Sequence, residues 1–268
     1  MPLLPCLAFH GVKDRSTVLF SVSEKKPIAS GESGSLENMT ICPTARGFLL
    51  VRDPTSLATF LWSQQSRSKI ELPPLPLDVD DEQLVYCNCL LSDKPTAPGC
   101  VVLLAPPEDP HGKFYFNGMP DSLGVIDFCG PAAPVFSSIT IDETIDEDHG
   151  TVFLVESDDH LYMVCLLSVD DVVSEPYRGA TVHRMDFLKQ QWCKEDNLGG
   201  RTFLLSLYEF GASCLGDKCG LRQNCVYLPD PYEKTLQIFN VKDGSVEVQK
   251  LDDALVSDKA FWVLPTDP

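Results

Sequence analysis

Residues 182–251 read VHRMDFLKQQWCKEDNLGGRTFLLSLYEFGASCLGDKCGLRQNCVYLPDPYEKTLQIFNVKDGSVEVQKL, and this stretch decides the fold. Its end carries the chemistry of a hairpin. Leu236, Ile238 and Val241 precede Asp243-Gly244, and Val246 and Val248 alternate with Glu247 and Gln249 after it. An Asp-Gly pair tolerates the positive φ angles of a type I′ turn, whose twist matches that of the flanking strands. Upstream, Gly199-Gly200 opens a strand in which Phe203, Leu205 and Leu207 share one face, because side chains alternate along a strand. A further short strand, Cys225 to Leu228, lies between the two. Three or four short strands in series, closed by tight turns, predict one antiparallel sheet the size of a propeller blade.

The same pattern extends through the rest of the chain. Strands are expected at Thr17 to Val22, Phe48 to Val51, Leu57 to Trp62 and Lys69 to Leu72, with turns at Asp53-Pro54 and Ser63 to Ser68. Leu84 to Leu91, Cys100 to Ala105 and Lys113 to Phe116 form another set. Thr151 to Val155 and Leu161 to Leu167 follow, joined by Ser157-Asp158-Asp159-His160, then Ala180 to Met185 and Ala260 to Leu264. Residues 30–38 read as an exposed loop, and residues 185–196 are the best candidate for a helix. Many short strands, with 17 Gly and 21 Pro to break them, predict an all-β protein. The expected fold is a β-propeller, kelch-like, formed by residues 1–268 as a single domain, with a two-sheet sandwich as the alternative. At about 40–50 residues per blade, the length accommodates roughly six blades. No series of Trp-Asp dipeptides is present, and Gly199-Gly200 is the one Gly-Gly pair of the kind that kelch repeats carry. A propeller exposes its first and last strands unless the chain ends pair within one blade. The apolar segments Leu3 to Phe9 and Phe261 to Leu264 are therefore expected to meet, with Trp262 in the core of the closing blade.

Charge narrows the range of partners. The chain has 21 basic and 39 acidic residues, a net charge of -18. Nucleic acids and anionic membranes are bound by neutralising phosphates, so neither is expected as a partner. An acidic surface favours a basic peptide or protein. Met1-Pro2-Leu3-Leu4-Pro5 lacks a secretory pattern, and eleven cysteines without an export signal suit a reducing compartment. The expected location is cytoplasmic or nuclear, in which case the sequon Asn38-Met39-Thr40 goes unused.

Catalytic and metal chemistry find little to build on. Cys214, Cys219 and Cys225 lie close together, and Cys87-Asn88-Cys89 would place two thiols on one strand face. A structural zinc site draws four ligands from two tight pairs, which neither cluster supplies. A nucleophilic cysteine needs a base, and the sequence brings His160 or His183 to none of them. Gly211-Ala212-Ser213-Cys214-Leu215 and Gly31-Glu32-Ser33-Gly34-Ser35 both fail the nucleophile-elbow pattern at the last position. The acidic groups Asp78 to Glu82, Asp142 to Asp148 and Asp170-Asp171 miss the spacing of a calcium loop and read as solvated turns. Trp62, Trp192 and Trp262 read as core. No catalytic, cofactor-binding or metal-binding residue is assigned, and no cofactor is expected.

Several short motifs, in order, resemble those of the plant KIB-type β-propeller family, the domain of unknown function that follows the F-box in many plant F-box proteins. They are Pro5-Cys6-Leu7 and Gly47-Phe48-Leu49, where the family has Trp in place of Cys6 and Phe48, and the Ser63 to Leu75 segment ending Leu72-Pro73-Pro74-Leu75. Trp192 with Leu198-Gly199-Gly200-Arg201-Thr202-Phe203-Leu204, Gln223 to Asp230, and Trp262 with Pro265 complete the series. The resemblance implies a non-enzymatic, protein-protein interaction domain of the substrate-recognition kind. The alternative is a hydrolase or lyase with its site at the propeller's central mouth. The helical F-box finds no room before Pro5, so direct binding of a ligase adaptor is not expected.

Overall fold

The computed structural model describes residues 5–28, 36–44, 46–75, 81–91, 95–96, 100, 102–105, 116–119, 122–127, 135–141, 150–168, 177–207, 211–254 and 256–265. Strands β1 (Cys6–His10), β2 (Thr17–Ser21) and β3 (Lys26–Pro27) pair antiparallel in that order. Next come β4 (Thr40–Pro43), β5 (Phe48–Arg52), β6 (Thr59–Ser63) and β7 (Lys69–Glu71), a four-stranded meander. A short helix, α1 (Asp81–Tyr86), leads into the pair β8 (Asn88–Leu91) and β9 (Val102–Ala105). Strands β10 (Phe116–Met119), β11 (Ser122–Asp127) and β12 (Val135–Thr140) form a three-stranded sheet. Strands β13 (Gly150–Ser157), β14 (His160–Leu167), β15 (Gly179–Asp186) and β16 (Gln191–Glu195) form another four-stranded meander. The last large sheet contains β17 (Arg201–Leu204), β18 (Ala212–Leu215), helix α2 (Gly216–Cys219) after it, β19 (Cys225–Asp230), β20 (Thr235–Asn240) and β21 (Val246–Lys250). Finally β22 (Lys259–Val263) returns to β1.

The arrangement is a β-propeller. Contacts run from β10 to β13, β13 to β18, β19 to β22, β22 to β4 and β4 to β8, so successive sheets are packed as neighbours. Four sheets have four or five strands and are blades in full; the described residues place two and three strands in the other two. Roughly six complete blades are therefore not what the described residues amount to. The packing explains why several strands are apolar on both faces. In β19, Val226 and Leu228 enter one core with Val155, Val164 and Val182, whereas Cys225 and Tyr227 enter another with Leu7, Phe9 and Trp262. A blade between two others buries both its faces, which erases simple alternation.

Ring closure follows the expectation. β1 and β22 are antiparallel, with Leu7 opposite Trp262 and Ala8 opposite Phe261, all buried. The Trp262 indole N–H donates to the Leu205 carbonyl at 2.9 Å, and its ring meets Tyr227 edge-on at 6.3 Å. Gly47 has φ 78°, and a Cβ there would lie 2.5 Å from the Pro265 carbonyl oxygen. A side chain at position 47 would collide with the returning chain.

Several local expectations are corrected. Residues 185–196 are not a helix: β15 ends at Asp186, a turn follows, and Trp192 sits opposite Met185 in β16. Leu84 to Leu91 is not one strand, because Asp81–Tyr86 is helical and only Asn88–Leu91 extends. The sheet from β17 to β21 is not wholly antiparallel: β18 and β19 flank β17, and β19 runs parallel to it, with Thr202 opposite Cys225. The Asp243-Gly244 turn is not type I′, since Gly244 has φ 70° and Asp243 is not at positive φ. A type I′ loop stands instead at Asp158-Asp159, with φ 49° and 59° between the paired Ser157 and His160. Gly31 to Ser35, Asp142 to Asp148, Asp170-Asp171 and most of Lys113 to Phe116 and Asp78 to Glu82 lie outside the described residues.

Candidate functional site

Two polar constellations lie at blade ends. In the first, cross-strand register lines up Lys259, His10 and Thr17, and separately Thr40, Arg52 and Thr59. Helix α1 joins the two rows. Its Asp81 carboxylate pairs with Arg15 at 3.3 Å and with Arg52 at 3.5 Å, while the Lys259 ammonium donates to the Val85 carbonyl. A cation at the carbonyl end and a carboxylate at the amide end both suit the helix dipole. His10 is fully buried, with Nδ1 2.9 Å from the Thr17 hydroxyl. Burial first, then the Lys259 charge, lowers its pKa to about 4. The imidazole is neutral at pH 7, and its hydroxyl neighbour stands at the half-buried start of β2. This constellation anchors α1 across two blades.

The second constellation joins β13, β17 and β18. Arg201 reaches Asp158 with both Nε and Nη2, and its Nη1 donates to the Ser213 hydroxyl at 3.2 Å. Ser213 and Ser157 share a hydrogen bond of 2.8 Å. Ser213 is therefore held between a guanidinium and another hydroxyl, neither of which can take its proton. His160 stands nearby, but its Nδ1 contacts the Asp158 backbone carbonyl. A nucleophile needs a base at this distance, and Arg201 is the opposite.

The thiols pack as core. Cys214, Cys219 and Cys225 share one apolar cluster, and Cys42 joins Cys87 and Cys89 in another, where its Sγ donates to the Cys87 carbonyl at 2.8 Å. Sequence reading missed Cys42, because it lies 45 residues from Cys87 and only the packing of neighbouring sheets unites them. Burial pushes the Cys6 thiol up to about 12 and raises that of Cys225; Cys89 is raised first by its hydrogen bond with Cys42, then by burial. Among the described residues no group of three His, Cys, Asp or Glu is placed to hold a metal ion, and no helix is long and apolar enough to cross a membrane. Trp192 and Trp262 are buried, and Trp62 is half-buried against the core around Phe60.

The KIB1-4 beta-propeller family model matches residues 108–246, just over half of the 268 residues. The chain belongs to this family. No curated protein matches it. The KIB1-4 match contains the motifs at Trp192, Leu198 to Leu204 and Gln223 to Asp230, and the structure gives them architectural work. Asn224 accepts from the Leu198 N–H at 2.8 Å, donates its own N–H to the Arg201 carbonyl and receives the Val241 N–H. Asp230 caps the turn that follows β19. In this chain Asn224 is therefore a strand clasp and Asp230 a turn cap.

Among the described residues, several exposed apolar side chains stand on turns. Phe187 and Leu188 stand on the β15–β16 turn, half-exposed and 99% exposed, and Tyr232 stands 61% exposed on the β19–β20 turn. Each turn is braced by an aspartate, Asp186 or Asp230, accepting two backbone N–H groups at 3.1 Å or 2.9 Å. Sequence reading placed Phe187 and Leu188 in a helix, where their joint exposure is lost from view.

Proposed function

We propose that this KIB1-4 propeller is a non-enzymatic interaction domain that binds a basic protein partner. The observation that carries the reading is the Phe187-Leu188 pair, apolar side chains presented to solvent on a turn that Asp186 holds rigid. A pre-ordered apolar anchor binds without the entropy cost of ordering a loop. Family membership supports the reading, as does the net charge of -18, which favours association with basic surfaces. The substrate-recognition role that the family resemblance implies belongs to the same proposal. An alternative hydrolase or lyase draws no support from His10, Ser213 or the described thiols, which pack or pair structurally.

The test is affinity capture at low and moderate salt, with wild-type chain and Leu188→Glu as baits. A protein is expected that binds the wild type, weakens with salt and is lost from the variant. Turnover of a small ester or glycoside by the purified chain, with no protein captured by either bait, overturns the proposal.

A further inference from the structure

Among the described residues, Cys6, Cys42, Cys89, Cys165 and Cys225 are buried in strands, but the pair Cys214 and Cys219 is placed differently. Cys214 lies in β18 and Cys219 ends α2, a helix of four residues. The chain doubles back between them: the Gly216 N–H donates to the Gly200 carbonyl, and the Leu221 N–H returns to the Gly216 carbonyl. Cys219 thereby comes back onto β18, and both thiols enter the core cluster that also holds Cys225. Cys214 and Cys225 are kept apart by β17, since both are register partners of Thr202. Cys214 and Cys219 have no strand between them and pack in the same core cluster, where each thiol perturbs the ionisation of the other.

We propose that Cys214 and Cys219 are a redox modification site, a dithiol that a small-molecule disulfide of the glutathione class converts to an intramolecular disulfide. The Cys219 thiolate attacks one sulfur of the reagent, forms a mixed disulfide and releases one thiol, which takes up a proton. Cys214 then loses its proton and attacks the Cys219 sulfur, releasing the second thiol. Two electrons pass from the protein dithiol to the reagent, and two small thiols leave. The order of events follows from position, since Cys219 ends the short surface helix whereas Cys214 lies within β18, and the lowered pKa of Cys219 and raised pKa of Cys214 agree with it. Access follows from the helix. Leu215 supplies no side-chain cap, Asp217, Lys218 and Gly220 are exposed, and so short a helix opens locally at little cost. The product ties α2 to β18 beside the closing blade, where Gly220 approaches Ser23.

Trypsin separates the three cysteines onto residues 202–218, 219–222 and 223–234, so a map of linked peptides reads the pairing directly. The full chain is equilibrated in glutathione buffers of graded oxidised-to-reduced ratio, quenched in acid and alkylated before and after reduction. The expected product links 202–218 to 219–222, is reversed by reductant, and leaves Cys6 and Cys225 free. Cys214→Ser should halt the reaction at a glutathione adduct on Cys219, and Cys219→Ser should leave Cys214 free. The proposal is overturned if both thiols alkylate in the first step at every ratio, or if either links to Cys225. Wild-type mapping decides the matter even if a variant folds poorly.

Discussion

At the scale of single residues, burial decides chemistry. His10 is drawn from an ordinary value of 6.5 to about 4, mainly because the buried site disfavours imidazolium and Lys259 repels it; Asp14 and Asp258 oppose this weakly. Between those two values the unfolded chain binds a proton that the folded chain refuses, so stability falls as pH drops from 6.5 to 4. The full loss is about 3 kcal/mol from this group alone. Urea melts across that window should show the slope, and His10→Gln should flatten it; equal slopes would refute the assignment. The lowered pKa values of Asp14, Asp53, Asp186 and Asp243 act below 3.8, outside that window. Trp262 is the other decisive residue. Trp262→Ala removes a buried ring and orphans the Leu205 carbonyl, and should cost about 3–5 kcal/mol by denaturant titration.

At the scale of elements, one turn recurs. Six loops begin with Ser21, Asp53, Ser63, Asp186, Asp230 or Asn240, whose side-chain oxygen accepts a backbone N–H two or three residues on. Four residues later each chain turns left-handed, at Lys25, Leu57, Arg67, Gln190, Lys234 and Gly244, with φ from 51° to 70°. The repeat in this propeller is thus chemical, an Asx- or Ser-capped loop, and leaves almost no repeated wording in the sequence. Five of the six left-handed residues carry a Cβ, which is disfavoured there by about 1–2 kcal/mol. Lys234→Gly should therefore be neutral or stabilising by up to about 1 kcal/mol, whereas Gly244→Ala should destabilise by about 1 kcal/mol although its Cβ meets nothing. Asp230→Ala, which frees two N–H groups, should cost about 1 kcal/mol. Thermal melts of the three variants that failed to rank in this order would remove the common explanation.

At the scale of the whole molecule, the closing strand carries the ring. All five residues of β22 are buried, and β1 depends on them for its inner partner. Deleting residues 259–268 should lower the melting temperature by more than about 10 °C, since at least roughly 5 kcal/mol of burial is lost and each 1 kcal/mol shifts the midpoint by about 2–4 °C. An unchanged melt would mean that the ends do not close the ring. Strand runs such as Thr151 to Val155 and Ala180 to Met185, the breaks at Ser63 to Ser68, and the meeting of the two termini were legible in the sequence, because β-branched runs, turn residues and an edge that must be covered are local or topological demands. Residues 185–196 were not: Asp186, Lys189 and Gln190 have helix-like spacing, and only the burial of Trp192 opposite Met185 selects a hairpin. The sequence likewise could not say that Cys219 folds back onto Cys214 while Cys225 is held across β17, or that Asp81 meets Arg15 and Arg52. Strand and turn are written in neighbours along the chain and closure in the need to cover an edge, whereas which side chains meet is decided only when the sheets pack.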